Sequence, residues 1–252
     1  MTSDSVQHAE PAITLQGLNK QFQDTYAVKD VSFQVQRGEI FGFMGHNGAG
    51  KTTTIRMLLG LLQPTSGSAR VLGLDIEKQS LEIRRRCGFL PASYALPGDM
   101  TPHTFLLYIA SMFGLSAQQA QPKIQHLLEL FHMSDVAHKK LKGFSTGMTQ
   151  KIGLAQALIN DPEVLFLDEP TAGLDPIGRN DFLQHIQSLA QQQNVTVMFS
   201  THILSDIESI CEHVAILHRG ALLAEGSLKD LRQQHDAAHM DDLYLQLVQG
   251  AA

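Results

Sequence analysis

Gly38-Glu39-Ile40-Phe41-Gly42-Phe43-Met44-Gly45-His46-Asn47-Gly48-Ala49-Gly50-Lys51-Thr52-Thr53 is the stretch on which the fold turns. Its first half is an apolar run that reads as a buried strand, and it enters a glycine turn of the form GxxxxGK[ST] from Gly45 to Thr52. Beyond the turn, Ile55, Leu58, Leu59 and Leu62 recur at helical spacing, and Gln63-Pro64-Thr65-Ser66-Gly67 stops the predicted helix over 51–62. Strand, glycine loop and helix in that order give the pattern a physical meaning. Glycines let backbone N–H groups close around phosphates, and the positive end of the helix faces them. Lys51 would then reach the β- and γ-phosphates of a nucleotide such as ATP, the Thr52 hydroxyl would ligate Mg²⁺, and Thr53 would help hold the α-phosphate. His46, in the loop with Asn47 and Ala49, reads as a surface histidine with no phosphate chemistry of its own.

Outward from the loop, Ile13-Leu15 and Val31-Phe33-Val35 alternate as half-buried strands, and a short strand is predicted at Ala69 to Leu72. Between about Ser93 and Asn160 strand patterns give way to three predicted helices, Thr101 to Phe113, Pro122 to Phe131 and Met148 to Asn160. Continuous apolar runs return at Val164-Leu165-Phe166-Leu167 and Val195-Thr196-Val197-Met198-Phe199, as parallel strands covered on both faces require, with a crossing helix over 176–192. Val214 to Leu217 and Ala221 to Ala224 flank a turn at Arg219-Gly220, and polar helical segments close the chain. The expected architecture is an α/β P-loop NTPase core with a mixed sheet, an N-terminal antiparallel β-subdomain and an inserted α-helical subdomain. Its divisions are a disordered tail over 1–10, a domain over 11–231 with the helical part at about 93–160, and a helical tail over 232–252.

Composition narrows the partners. Nineteen Lys plus Arg against twenty-five Asp plus Glu leave a formal charge of −6, without the basic stripe that a nucleic acid demands. Cys87 and Cys211 are far apart in apolar surroundings, which suits a reducing cytosol better than a disulfide framework. The apolar run from Phe105 to Leu115 is about half of the ~20 residues that span a bilayer, so any tie to a membrane must come from a partner.

Asp168 and Glu169 stand where a buried strand ends, the edge at which open parallel sheets gather ligands. Asp168 can hold Mg²⁺, and Glu169, one residue on, points differently, toward the water that attacks the γ-phosphate. Read without the loop, the two would be solvated acids at a strand end.

With these sites placed, the chain from Ile13 to Leu231 resembles the ATP-binding cassette (ABC) nucleotide-binding domains of transporters. The family's LSGGQ signature appears as Phe144-Ser145-Thr146-Gly147-Met148, matching at Ser145 and Gly147. The resemblance implies that these two contact the ATP held by a second copy, in a head-to-tail dimer with two ATPs between subunits. Pro170 to Pro176, with Asp175, resembles the segment that communicates across this dimer, and His202 in Ser200-Thr201-His202 resembles the switch histidine that holds the γ-phosphate and orients Glu169. Phe22 falls where the family stacks an aromatic on adenine; Tyr26 is a rival, and a core phenylalanine is the alternative.

Phe144 to Met148, Gly173-Leu174-Asp175-Pro176 and Met240 to Leu247 look most like the ATPase subunits of ABC-2-type bacterial exporters. That implies a cytoplasmic subunit held on the inner face of the membrane by separate integral permease subunits. A soluble ABC ATPase without transport, or a slow ATP-dependent regulatory module, would share the fold. One position departs from the family: Ala92, after Cys87-Gly88-Phe89-Leu90-Pro91, stands where a Gln or Glu usually ligates Mg²⁺ and water. Either water replaces that side chain, or the ATPase is slow, or it depends more tightly on its partner. Leu96 and Pro97, in the adjoining Ser93 to Met100, are expected on the groove for a transporter helix, with core packing as the alternative.

Overall fold

The computed structural model describes residues 10–250. The tail expected at 1–10 lies, apart from Glu10, outside the described residues. The chain opens with β1 (Ile13–Phe22), β2 (Thr25–Val35) and β3 (Ile40–Met44), then α1 (Lys51–Leu58), β4 (Ser66–Val71), β5 (Leu74–Asp75), α2 (Ser80–Arg86) and β6 (Cys87–Leu90). The helices α3 (Pro102–Met112), α4 (Ala117–Leu130) and α5 (Thr146–Leu158) follow without an intervening strand. The sheet resumes with β7 (Val164–Asp168), α6 (Pro176–Gln193), β8 (Thr196–Thr201), α7 (Leu204–Ile210), β9 (His213–His218) and β10 (Ala221–Ser227), and α8 (Leu228–Gln234) and α9 (Met240–Gly250) end the described chain.

The strand order is β5-β4-β1-β2-β10-β9-β3-β8-β7-β6. From β9 to β6 the strands run parallel, whereas β1 pairs antiparallel with β2 and β4. A single parallel pairing of Ala221 with Lys29 joins the two parts. The middles of the parallel strands are apolar because both faces are covered: Phe41, Phe43, Val164, Phe166 and Met198 pack with Ile55 and Leu58 of α1, while Leu165, Leu167, Val197 and Phe199 pack with α5, α6 and α7. Strand β3 lies between β8 and β9, so the loop that leaves it emerges at the carboxyl edge of the sheet beside the ends of β7 and β8.

Several boundaries differ from the sequence reading for local reasons. Helix α1 stops at Leu58 rather than Leu62, because the chain turns at Gly60, whose φ is +61° and whose missing Cβ would lie 2.2 Å from Ser80 Cβ. Helix α4 begins at Ala117 rather than Pro122: Ser116 and Gln119 form a reciprocal capping box, and Pro122 is carried on an exposed face inside the helix. The sequence reading assigned no element to α2 or α7, and treated β6 only as a matching segment. The division expected at 231 falls inside α8, and α9 continues onto the core through buried Met240 and Leu243.

Candidate nucleotide site

The loop owes its shape to contacts that only glycine permits. Gly50 has φ +106°, and a Cβ there would stand 2.4 Å from Ala27 O; a Cβ at Gly45 would stand 2.4 Å from Leu217 O. Gly220 N–H donates to Ala49 O at 3.1 Å, so the turn between β9 and β10 buttresses the loop from behind. His46 is half-buried, its ring edge-on to His218 with centroids 4.9 Å apart. Burial, then the neighbouring charges of His46 and Arg219, hold His218 below the ordinary imidazole value.

Lys51, with 5% of its side chain exposed, turns its ammonium back over the loop. It donates to Gly45 O at 2.6 Å and His46 O at 3.3 Å, and lies 3.0 Å from Glu169 Oε1. That last approach is an ion pair by distance but off-axis for a hydrogen bond, and Glu169 Oε1 is buried without a hydrogen-bond partner. The other oxygen, Oε2, accepts from His202 Nδ1 at 2.6 Å, so that ring nitrogen carries a proton. Glu169 adopts φ +50°, and its N–H donates to Ser200 O at 3.0 Å. The left-handed residue swings this carboxylate away from the strand direction that Asp168 follows.

Asp168 is 1% exposed, and its partners are hydroxyls: Thr52 Oγ1 donates to Oδ2 at 2.7 Å and Ser200 Oγ to Oδ1 at 2.6 Å. A buried carboxylate beside a hydroxyl is a hard oxygen donor set, and it fits Mg²⁺. The structure therefore brings Lys51, Thr52, Asp168, Glu169 and His202 together.

Ser145 and Gly147 are not among that group. Ser145 is exposed and caps α5, accepting from Met148 N–H at 3.3 Å; a Cβ on Gly147 would meet only Leu174 at 3.7 Å. With Leu174 and Gly178 they line a hollow of about 360 Å³. Asp175 caps α6 by accepting from Gly178 N–H at 2.8 Å. Phe22 and Tyr26 are 49% and 46% exposed, which removes the core alternative for Phe22, and Lys20 Nζ stands 5.0 Å from the centre of its ring.

Sequence reasoning missed two participants. In sequence Ser200 reads only as part of Ser200-Thr201-His202, although its hydroxyl fixes Asp168. Asp206, 0% exposed, accepts from Thr171 Oγ1 at 2.6 Å and pairs with Arg179, so it ties the segment after Glu169 to the helix after His202. Its sequence context, Leu204-Ser205-Asp206-Ile207-Glu208, carried no signal for a buried acid.

A parallel sheet that delivers a glycine loop, a buried lysine and two acids to one edge defines a P-loop nucleoside triphosphatase with an inserted helical segment. Residues 28–172 match the family model described as ABC transporter. The chain belongs to that family. The ABC transporter ATP-binding protein NatA of Bacillus subtilis is 37% identical over 94% of this chain and 99% of its own. The probable multidrug ABC transporter ATP-binding protein YbhF of Escherichia coli is 39% identical over 89% of this chain, which spans only 39% of that relative's length. A solved ATP-binding subunit of an ABC transporter superposes with a TM-score of 0.84 at 30% identity, covering 94% of this chain and 99% of the other.

Proposed function

We propose that this chain binds ATP with Mg²⁺ at Gly45 to Thr53 and hydrolyses it at the interface of a head-to-tail dimer, to power a separate membrane permease that exports its cargo. The observation that supports this best is the assembly of Lys51, Glu169 and His202 beside the Thr52–Asp168 pair, while Ser145 stands exposed at a helix N-terminus. Each chain thus holds most of a site, together with the part that would complete its partner's.

The backbone N–H groups of the loop and Lys51 would bind the phosphates, with Phe22 or Tyr26 against the adenine. Thr52 and Asp168 would hold Mg²⁺, which when bound supplies charge neutralisation at the β- and γ-phosphates. Glu169 Oε1, lacking a hydrogen-bond partner, is the oxygen placed to take a proton from the attacking water. His202 holds Oε2 and fixes the carboxylate's direction, and it would face the γ-phosphate of a bound nucleotide. Ser145 and Gly147 of the second copy would close over that phosphate, and Asp175 would sit at the crossing between copies.

Among the described residues no helix is long and apolar enough to cross a membrane. The membrane-spanning part would come from permease subunits, which place this chain on the cytoplasmic inner face. Leu61, Phe89, Ile109 and Phe113 line a hollow of about 220 Å³ between α1 and the inserted helices, and Tyr108 and Met112 stand exposed on α3. This is the surface offered to a permease helix. Leu96 is half-buried against the helical core and Pro97 is exposed, so only Pro97 of the expected pair is fully at the surface. Export follows the resemblance to ABC-2-type subunits and the multidrug description of the YbhF relative. Affinity purification from a detergent extract is expected to recover an integral membrane protein with this chain; recovery of ribosomes or DNA in its place would sink the reading.

Ala92, exposed just beyond β6, offers no ligand. Ala92→Gln is expected to raise ATP turnover about fivefold, the worth of one added polar contact, and to sharpen its Mg²⁺ dependence. An unchanged rate with unchanged Mg²⁺ dependence would mean that water already serves there.

A further inference from the structure

The segment after β6 is fastened to the segment that carries Ser145 and Gly147. Lys142 N–H donates to Gly98 O at 3.1 Å and Leu141 N–H to Met100 O at 2.9 Å. The third tie is a side chain: Tyr94 Oη donates to Thr149 O at 2.8 Å, with Gln150 Oε1 at 3.4 Å. Thr149 belongs to the first turn of α5, whose cap is Ser145, so the phenol grips the helix one turn from the motif. A carbonyl has two lone pairs, and this bond adds to the helical ladder without displacing it.

The ring reaches that carbonyl only because Gly153 has no side chain. A Cβ there would lie 2.1 Å from Tyr94 Oη and 2.7 Å from Leu90 Cδ1. Burial pushes the phenol's pKa up, so Tyr94 remains a protonated donor at any working pH. Tyr94 stands two residues beyond Ala92, which has no polar group to carry such a link.

We propose that Tyr94 is a positioning residue for the Ser145–Gly147 motif: its hydroxyl fixes the direction in which α5 presents that motif to the γ-phosphate held by a second copy. The proposal rests on the dimer reading above. It differs from plain core packing because it puts the effect on turnover and leaves the chain's own phosphate loop alone.

The test is a double-mutant cycle in the full chain with Tyr94→Phe, Ser145→Ala and their combination, measuring ATP turnover and the affinity of each chain for a fluorescent ATP analogue with Mg²⁺. Tyr94→Phe keeps the ring and removes only the hydroxyl. It is expected to lower kcat about fivefold, to change analogue affinity by less than about twofold, and to cost little further once Ser145 is Ala. Wild-type turnover in Tyr94→Phe, a loss that multiplies fully with that of Ser145→Ala, or a parallel loss of analogue affinity would each overturn the positioning role. Should Ser145→Ala itself turn over at the wild-type rate, the dimer reading falls and takes this role with it. A slow Ser145→Ala beside an unaffected Tyr94→Phe removes the role of Tyr94 alone.

Discussion

Glu169→Gln is expected to lower ATP turnover about a thousandfold, within the range that general-base catalysis supplies, while ATP binding persists and the ATP-bound chain accumulates as a dimer. The exchange changes little in shape. The amide can still accept from His202 Nδ1, which now lies 2.6 Å from Glu169 Oε2, so the switch histidine keeps a partner. What disappears is the basic oxygen at Oε1 and the charge 3.0 Å from Lys51 Nζ. Losing that charge frees the ammonium for phosphate, which is why affinity should hold or rise as hydrolysis stops. Turnover measured with and without Mg²⁺, together with size-exclusion chromatography in ATP, checks both halves. Hydrolysis near the wild-type rate would put the base elsewhere and dissolve the role assigned to Glu169.

The parts of this site legible in the sequence are those whose chemistry is local. Gly45 to Thr53 could be read because loop, lysine and hydroxyl lie within one turn of chain, and the strand before them and helix after them show their own periodicity. Asp168 and Glu169 could be read because an apolar run ends on them. That the two carboxylates diverge depends on φ +50° at Glu169, which is a property of the turn and leaves no trace in residue type. Ser200 and Asp206 work across 32 and 35 residues of sequence, and a serine and an aspartate between apolar neighbours look like ordinary strand and helix residues. In the fold, β6 was missed because four residues with Gly88 among them show no alternation. The start of α4 was misplaced because Pro122 resembles a first-turn proline, and the capping box at Ser116 outweighs it. The antiparallel part was underestimated in length: β1 runs on to Phe22 through register shifts that break the alternation after Leu15.

Lys51→Met tests the other half of the division between binding and turnover, and it is expected to lower affinity for ATP with Mg²⁺ at least a hundredfold and to abolish hydrolysis. An ammonium with 5% of its side chain exposed is tolerated only because it is paired, here by Gly45 O at 2.6 Å, His46 O at 3.3 Å and Glu169 Oε1 at 3.0 Å. Methionine fills the stem's volume and keeps the apolar contacts, so the loop should stay folded while its one buried cation is gone. A charge-assisted bond contributes about 1.5–3 kcal/mol and the lysine would make more than one to the phosphates, which sets the expected scale. Calorimetric titration with ATP and Mg²⁺ measures the loss, and thermal unfolding without nucleotide checks that the chain remains folded. Arginine in the same place should not restore function, because its planar fork cannot follow the curve that brings Nζ back over the loop. The two variants must fail differently: Glu169→Gln binds without turning over, and Lys51→Met does neither. If Lys51→Met were to bind ATP as the wild type does, the glycine loop would not be the nucleotide site, and the roles drawn from it for Thr52, Asp168 and Glu169 would have to be given up together.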